Sequence, residues 1–407
     1  MSLWSRRKWL GVAAASAAAV VTRRAAALAA PRVGSGLGRS EYEPWLEIDV
    51  GALRRNVTEL SRLVGSQPIL AVVKNNAYGL GLESAGPLLD PLPAVAGLAV
   101  VKTDEAIRLR DAGVRKPVLV MGLVSEEEAV ELARRDVRLA PFAQDAGNQL
   151  ARIAGRLGRP VPVHLYLDTG MNRLGMPYYR AAPWIKDLAA RPEVLIEGTF
   201  MSFTEDPAFD PEQLSRFRQV AKELRASGVQ LGKLHAASSH GLFLRRDAYL
   251  DMVRPGLALY GAYPAGTADL GLVQLTPAFR FKARVVDVQQ LRAGDSASYD
   301  RAYTASKPTW IAIIPAGHAD GYPRAAVKGC QVLIGDRLYP VIAAVSASHT
   351  IVEVGDQETV HVGDEATLVG PDRPEITPNG VAQQAGVSVY DVLMHLSSLL
   401  PKRVIHT

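Results

Sequence analysis

The stretch Ile69-Leu70-Ala71-Val72-Val73-Lys74-Asn75-Asn76-Ala77-Tyr78-Gly79-Leu80-Gly81 sets five apolar residues directly against a lysine. A short apolar run bounded by turn-forming residues reads as a strand buried on both faces, the texture of a parallel sheet. Runs at 95–101, 118–121, 161–167 and 194–200 have the same character, and amphipathic segments at 126–135 and 211–227 lie between them. Strand then helix, repeated over about 230 residues, argues for a parallel sheet, most economically a closed TIM-type (β/α)8 barrel. A doubly wound open sheet is the competing fold, and no G-x-G-x-x-G fingerprint supports it. In a barrel, Lys74 stands at the C-terminal end of its strand, the face where barrel enzymes keep their chemistry. Partial desolvation there lowers an ammonium pKa and favours attack on a carbonyl. Taken alone, such a lysine is more often a solvated strand end.

After Pro277 the texture changes. Runs at 281–288, 309–315, 331–334, 339–345, 350–354 and 366–369 are β-rich, and Gly-Asp pairs at 294–295, 335–336 and 363–364 suit tight turns. Helical pattern returns only near 387–397. A chain of 407 residues accommodates two domains. The expected division is a leader at 1–30, a Gly/Ser/Arg-rich linker at 31–43, a barrel at 44–276 and a mainly β domain at 277–407.

The net charge of +5 owes much to Arg6, Arg7, Lys8, Arg23, Arg24, Arg32 and Arg39. The body that follows is close to neutral, which removes the electrostatic case for a nucleic-acid partner. Ser5-Arg6-Arg7-Lys8-Trp9-Leu10, followed by an apolar run at 11–21 and by Ala27-Leu28-Ala29, has the layout of a twin-arginine export signal. It predicts a periplasmic protein, or a cytoplasmic one should the leader not function. The run is too short for a stable membrane anchor, since a spanning helix needs about 20 residues. Cys330 is the only cysteine, so no intrachain disulfide forms, a cysteine-based metal site is not expected, and the thiol reads as a resting one.

The string from Val72 to Gly81 resembles the cofactor-lysine motif of the alanine racemase family, with Leu80 at the usual His. The resemblance continues in order through His164-Leu-Tyr-Leu-Asp168-Thr-Gly170-Met171-Asn172-Arg173-Leu174-Gly175 and His235-Ala-Ala-Ser238-Ser239. It extends over Met252-Val253-Arg254-Pro255-Gly256-Leu257-Ala258-Leu259-Tyr260-Gly261, Ser298-Tyr299 and the segment from Ile314 to Tyr322. It covers the chain from about residue 44 onward and implies a pyridoxal 5'-phosphate enzyme that interconverts L- and D-amino acids.

By this resemblance Lys74 anchors the cofactor as a Schiff base, while Tyr78, Ser239 and the backbone at Gly256 and Leu257 hold its phosphate. Arg254 faces the pyridine nitrogen; a guanidinium keeps its proton, so the nitrogen stays largely unprotonated and the ring is a restrained electron sink. Racemisation needs two bases across the cofactor plane. The resemblance assigns these to Lys74 and to Tyr299, the latter reaching in from the partner subunit of a head-to-tail homodimer with shared active sites. Arg173 contacts the substrate carboxylate.

Three departures from the family pattern bear on activity. Ala344, Ala347 and Ser348 stand where larger or charged residues flank the substrate entrance, which resembles the exported, broad-specificity racemases. Ala347 is accordingly a candidate substrate-contacting position. Ser202 replaces a histidine that, by the resemblance, links the catalytic Tyr to the pyridine-facing Arg, with His240 as the candidate substitute. Ser398 falls where a phosphate-binding Tyr is common. A narrow alanine racemase and a cofactor-binding protein with little turnover are the alternatives. A metal-assisted aldolase lacks its ligands, and a decarboxylase its cysteine motif.

Overall fold

The computed structural model describes residues 41–65 and 67–407; the leader and most of the linker expected from sequence lie outside them. After β1 (Trp45–Asp49), the barrel strands are β2 (Ile69–Val72), β3 (Val95–Val100), β4 (Val118–Val120), β5 (Val137–Leu139) and β6 (Val161–Asp168). A two-residue β7 (Met176–Pro177) follows, then β8 (Val194–Phe200), β9 (Lys233–Ser238) and β10 (Met252–Arg254). Their order, β2-β3-β4-β5-β6-β8-β9-β10 and back to β2, closes a parallel eight-stranded barrel with β7 as a parallel appendage on β6. Every residue of β2 and β6 is buried, as strands need when helices cover one face and barrel filling the other. Strands β5, β9 and β10 were not anticipated, being three residues long or carrying polar residues.

The second sheet is built from β11 (Phe279–Arg284), β12 (Asp287–Leu291), β15 (Thr309–Ile314), β16 (Gln331–Ile334), β17 (Arg337–Ile342), β18 (Thr350–Gly355), β19 (Glu365–Val369) and β20 (Lys402–Ile405). The ribbon β13 (Ser296–Ala297) with β14 (Tyr303–Thr304) projects separately. One correction concerns the start of the barrel segment: β1 does not join the barrel. It pairs antiparallel with β11 and parallel with β20, placing Trp45 opposite Lys282 and Leu46 opposite Lys402. Its Trp45, Leu46 and Ile48 are fully buried, so the first described strand is part of the β domain's core. Besides the expected helical segment, here Val389–Met394, the β domain has a helix at Pro378–Ala385, started by Thr377, whose hydroxyl accepts from Gly380 N at 3.0 Å.

Gly79 shows how closely the domains pack. A Cβ there would overlap the Leu393 carbonyl, so the loop after Lys74 is pressed against the helix Val389–Met394. The Asn75 amide also reaches Met394 Sδ at 3.3 Å.

Candidate active site

A cavity of about 560 Å³ opens at the C-terminal mouth of the barrel, a size suited to a small ligand or cofactor. Lys74, Tyr78, Arg173, Ser239, Arg254 and Gly256 all line it. They are carried by the ends of β2, β6, β9 and β10, so convergence follows from barrel closure.

Lys74 is followed by four non-glycine residues in left-handed conformation, Asn75, Asn76, Ala77 and Tyr78, with φ of 54°, 56°, 53° and 53°. Each such residue costs roughly 1–2 kcal/mol, so the turn survives only where its surroundings over-determine it. Glu105, buried on the helix Thr103–Asp111, supplies that restraint. Its carboxylate accepts from Asn76 N at 3.0 Å and from Val101 N and Lys102 N at 3.3 Å. The Asn76 side-chain oxygen accepts from Arg108 at 2.8 Å and from Leu82 N at 3.3 Å. Replacing Glu105 with Ala leaves three backbone donors without this acceptor and should destabilise the protein by about 3 kcal/mol, measured by urea unfolding. A loss below about 1 kcal/mol would show that the turn holds itself.

Burial lowers the Lys74 pKa from its ordinary value, helped by the Arg173 charge and opposed by Glu105 and Glu205. At Ser239 the hydroxyl oxygen accepts from Gly256 N at 3.0 Å and Ala258 N at 3.2 Å. A Cβ on Gly256 would overlap the Tyr78 hydroxyl, so the cradle exists only because residue 256 has no side chain. Leu257 is fully buried beneath it, opening a short 3-10 turn. Backbone donors, a serine hydroxyl and a phenol meeting at one end of a cavity suit a phosphate.

Arg254 is buried and engaged through both terminal nitrogens of its guanidinium. Its guanidinium donates to the carbonyls of His235 at 2.7 Å, Met201 at 2.6 Å and Ala236 at 3.3 Å, and lies 5.1 Å over the Phe200 ring. Burial draws its pKa down to about 10, which leaves it charged at neutral pH. It also donates to His235 Nδ1 at 3.0 Å, which fixes the tautomer: the His235 proton must reside on Nε2, and Nε2 donates to His164 Nδ1 at 2.8 Å. A Cβ on Gly198 would overlap the His164 ring, so that glycine makes room for the pair. Burial holds both imidazoles neutral, with nearby Arg254 adding to the effect on each; His164 is lowered to about 3 and His235 well below its ordinary value.

Because the folded pKa values lie below the unfolded one, protons that bind the unfolded chain under about pH 6.5 are refused by the folded chain. Stability therefore falls with pH below that point, by up to about 1.4 kcal/mol per pH unit for each histidine. His164→Gln should remove about half of that slope between pH 6 and 5; an unchanged slope would place its origin elsewhere.

Besides Leu257, which is buried beneath the lining, two predicted site residues are not brought to the cavity of their own chain. Tyr299 lies in the β13–β14 ribbon with its side chain 73% exposed, flanked by Ser298, Asp300 and Arg301 at φ of 67°, 54° and 51°. Ala347 is exposed beside the loop 317–319, its carbonyl accepting from Ala319 N at 2.9 Å. Ser202 lines the cavity and accepts from the Tyr166 hydroxyl at 3.1 Å. His240 does not take over for the missing histidine: it is buried away from the cavity lining, 3.3 Å from Asp210. Ser398 is exposed and does not line the cavity, whereas Tyr390 and Glu205 do; sequence reasoning missed both, and no local signal marked either. Cys330 is buried with its thiol pushed up to about 11, a resting thiol.

A barrel-mouth lysine on a strained turn, a phosphate-shaped cradle and a buried guanidinium define a pyridoxal-phosphate enzyme of the barrel type. The description "Alanine racemase, N-terminal domain" matches residues 48–264, and "Alanine racemase, C-terminal domain" matches residues 278–404. The chain belongs to the alanine racemase family. The alanine racemase of Symbiobacterium thermophilum is 38% identical over 364 residues, covering 88% of this chain and 96% of that protein. That of Methanococcus maripaludis is 31% identical over 369 residues, covering 89% and 98%. Among solved structures, alanine racemase from Clostridium difficile 630 superposes with a TM-score of 0.83 at 27% identity, over 90% of this chain and 96% of that one. The E. faecalis alanine racemase gives 0.79 at 30% identity, over 89% and 98%. The chain is accordingly an amino-acid racemase, an isomerase dependent on pyridoxal 5'-phosphate.

Proposed function

We propose that this racemase is exported and acts on amino acids beyond alanine, using Lys74 and the partner subunit's Tyr299 as its two bases. The observation that carries the catalytic part is the gathering of Lys74, Arg173, Tyr78, Ser239 and Arg254 around one cavity. When bound, pyridoxal phosphate supplies an electron sink that acidifies the substrate α-carbon. Tyr78, Ser239 and the backbone at Gly256 and Leu257 hold its phosphate, and Arg254 stands toward the ring nitrogen without donating a proton. Arg173, exposed at the cavity mouth, orients the substrate carboxylate. Lys74 Nζ takes or returns the α-proton on one face, and Tyr299 Oη of the partner subunit does so on the other. The shared site calls for a head-to-tail homodimer, which gives a purpose to an exposed tyrosine on a strained ribbon.

Relaxed specificity rests on Ala344, Ala347 and Ser348, which present little bulk to side chains longer than methyl. The narrower reading, an alanine racemase supplying D-alanine, is favoured by the names of the relatives. Incubating the purified protein with single L-amino acids and separating the products by chiral chromatography distinguishes them. Turnover of basic or long aliphatic amino acids is expected; turnover of alanine alone would sink the broader reading. Export rests on the paired Arg6 and Arg7. Changing both to Lys should retain the protein in the cytoplasm on cell fractionation, and an unaltered distribution would overturn it.

A further inference from the structure

The barrel has a second opening, at the N-terminal ends of its strands and opposite the mouth that holds Lys74. A cavity of about 440 Å³ enters there. Leu70 of β2, Leu119 of β4, Ile196 of β8 and Met252 of β10 give it apolar walls. Four polar side chains stand among them: Arg138, His164, Glu197 and Lys233.

His164 is only 7% exposed, and it lines this cavity and not the one around Lys74. Its Nδ1 is committed as the acceptor from His235, whose own tautomer is set by Arg254. A neutral imidazole that accepts at Nδ1 carries its proton on Nε2, and burial keeps this ring neutral. Among the described residues nothing accepts from that Nε2. The hydrogen-bond chain from Arg254 through His235 and His164 therefore ends on a free donor at the second cavity. Buried donors are nearly always satisfied, so this one points to an acceptor from outside the chain.

A single water would satisfy the imidazole; Lys233 asks for more. Arg138 donates to the Glu197 carboxylate at 2.8 and 3.4 Å and pairs with Asp136 at 2.8 Å, so those charges are spent on one another. Lys233, the exposed first residue of β9, has no side-chain hydrogen bond or ion pair among the described residues. Its charge is nonetheless near the imidazole: after burial, the charges of Arg138, Arg254 and Lys233 lower the His164 pKa. An unspent ammonium and a neutral N–H donor beside apolar walls complement a carboxylate with a short hydrocarbon body. A cationic ligand would meet Lys233 as a like charge, and a fully hydrophilic anion would leave the walls uncovered.

We propose that the N-terminal mouth of the barrel is a second ligand site, which takes a small aliphatic monocarboxylate between His164 Nε2 and Lys233 Nζ. Its lining comes from the barrel strands of one chain and the residues before them, on the face away from the active site.

The probe is radiolabelled butyrate, measured by equilibrium dialysis against full-length holoenzyme. Arg173 offers a carboxylate a place at the active site, so the measurements use Arg173→Gln as the parent protein. Butyrate should bind this parent with a dissociation constant of about 1 mM, and Lys233→Gln made in it should bind about tenfold more weakly. Ala96→Leu, which thickens the cavity wall without touching charge, should weaken binding by a similar factor. Butyramide, the uncharged isostere, should compete at least about tenfold less well than unlabelled butyrate. Absence of binding by the parent would leave the donor to water and overturn the proposal. Binding unaltered by Lys233→Gln would place the ligand elsewhere, and loss in Lys233→Gln without loss in Ala96→Leu would place it on the surface around Lys233. Equal competition by butyramide would reduce the site to an apolar hollow; each of these three results also sinks the proposal. Lys233 is exposed, and an unchanged melting temperature of Lys233→Gln confirms that its loss of binding is not a loss of fold.

Discussion

Mixing two inactive variants, Lys74→Ala and Tyr299→Phe, should restore activity. Each alone is expected to lose racemisation by roughly 10²–10⁴-fold or more, since each removes one of the two proposed bases, both of which would act on every turnover. If the site takes Lys74 from one subunit and Tyr299 from the other, a mixed dimer contains one site with both residues intact and one with neither. Random reassortment makes half of the dimers mixed, so about a quarter of the unaltered activity should return. The structural ground is that Lys74 lines the cavity while Tyr299, on the same chain, does not, and stands 73% exposed on a backbone with three left-handed non-glycine neighbours. Strain and exposure together are hard to reconcile with a packing role. Failure of the mixture to recover, with mixed dimers verified by mass, would place both bases in one subunit or remove Tyr299 from the reaction.

The second large effect concerns the two faces separately. In deuterated solvent, Tyr299→Phe should still exchange the α-proton of one enantiomer through Lys74 while converting almost none of it to the other. Mass spectrometry with chiral separation reads both quantities. Lys74→Ala behaves differently: it should lose the visible absorbance of the bound cofactor as well as turnover, because Lys74 is proposed as both anchor and base. Retention of that absorbance would refute the anchor. Exchange of both enantiomers at equal rates in Tyr299→Phe would refute the one-face assignment.

Much of this was legible in the sequence, for identifiable reasons. Strands β2, β3 and β4 are continuous apolar runs, the pattern that burial on both faces demands, and β6 and β8 are mainly apolar around His164 and Glu197. Strands β5 and β10 have only three residues, and β9 begins on an exposed Lys233 and carries His235, so no run announced them. Strand β1 reads as an opening barrel element, and only pairing with β11 and β20 reveals where it belongs. Lys74, Tyr78, Arg173, Ser239, Arg254 and Gly256 follow strand ends, so motif and barrel geometry agree about them. Tyr390 and Glu205 reach the cavity through domain docking and a left-handed loop residue (φ 64° at Glu205), neither of which leaves a local pattern. The restraint by Glu105 is equally silent, because one buried carboxylate in an amphipathic helix looks like surface charge.

The position of β1 has a consequence for how the protein is made. As the nascent chain leaves the ribosome, β1 emerges well before its partners: β11 follows about 230 residues later and β20 later still. At about 5–20 residues per second, β1 spends tens of seconds or less as an apolar strand with both edges bare while the barrel is synthesised beside it. That interval is an opening for chaperone capture or for pairing with another nascent chain. Slowing elongation after residue 276 should therefore increase aggregation in cells.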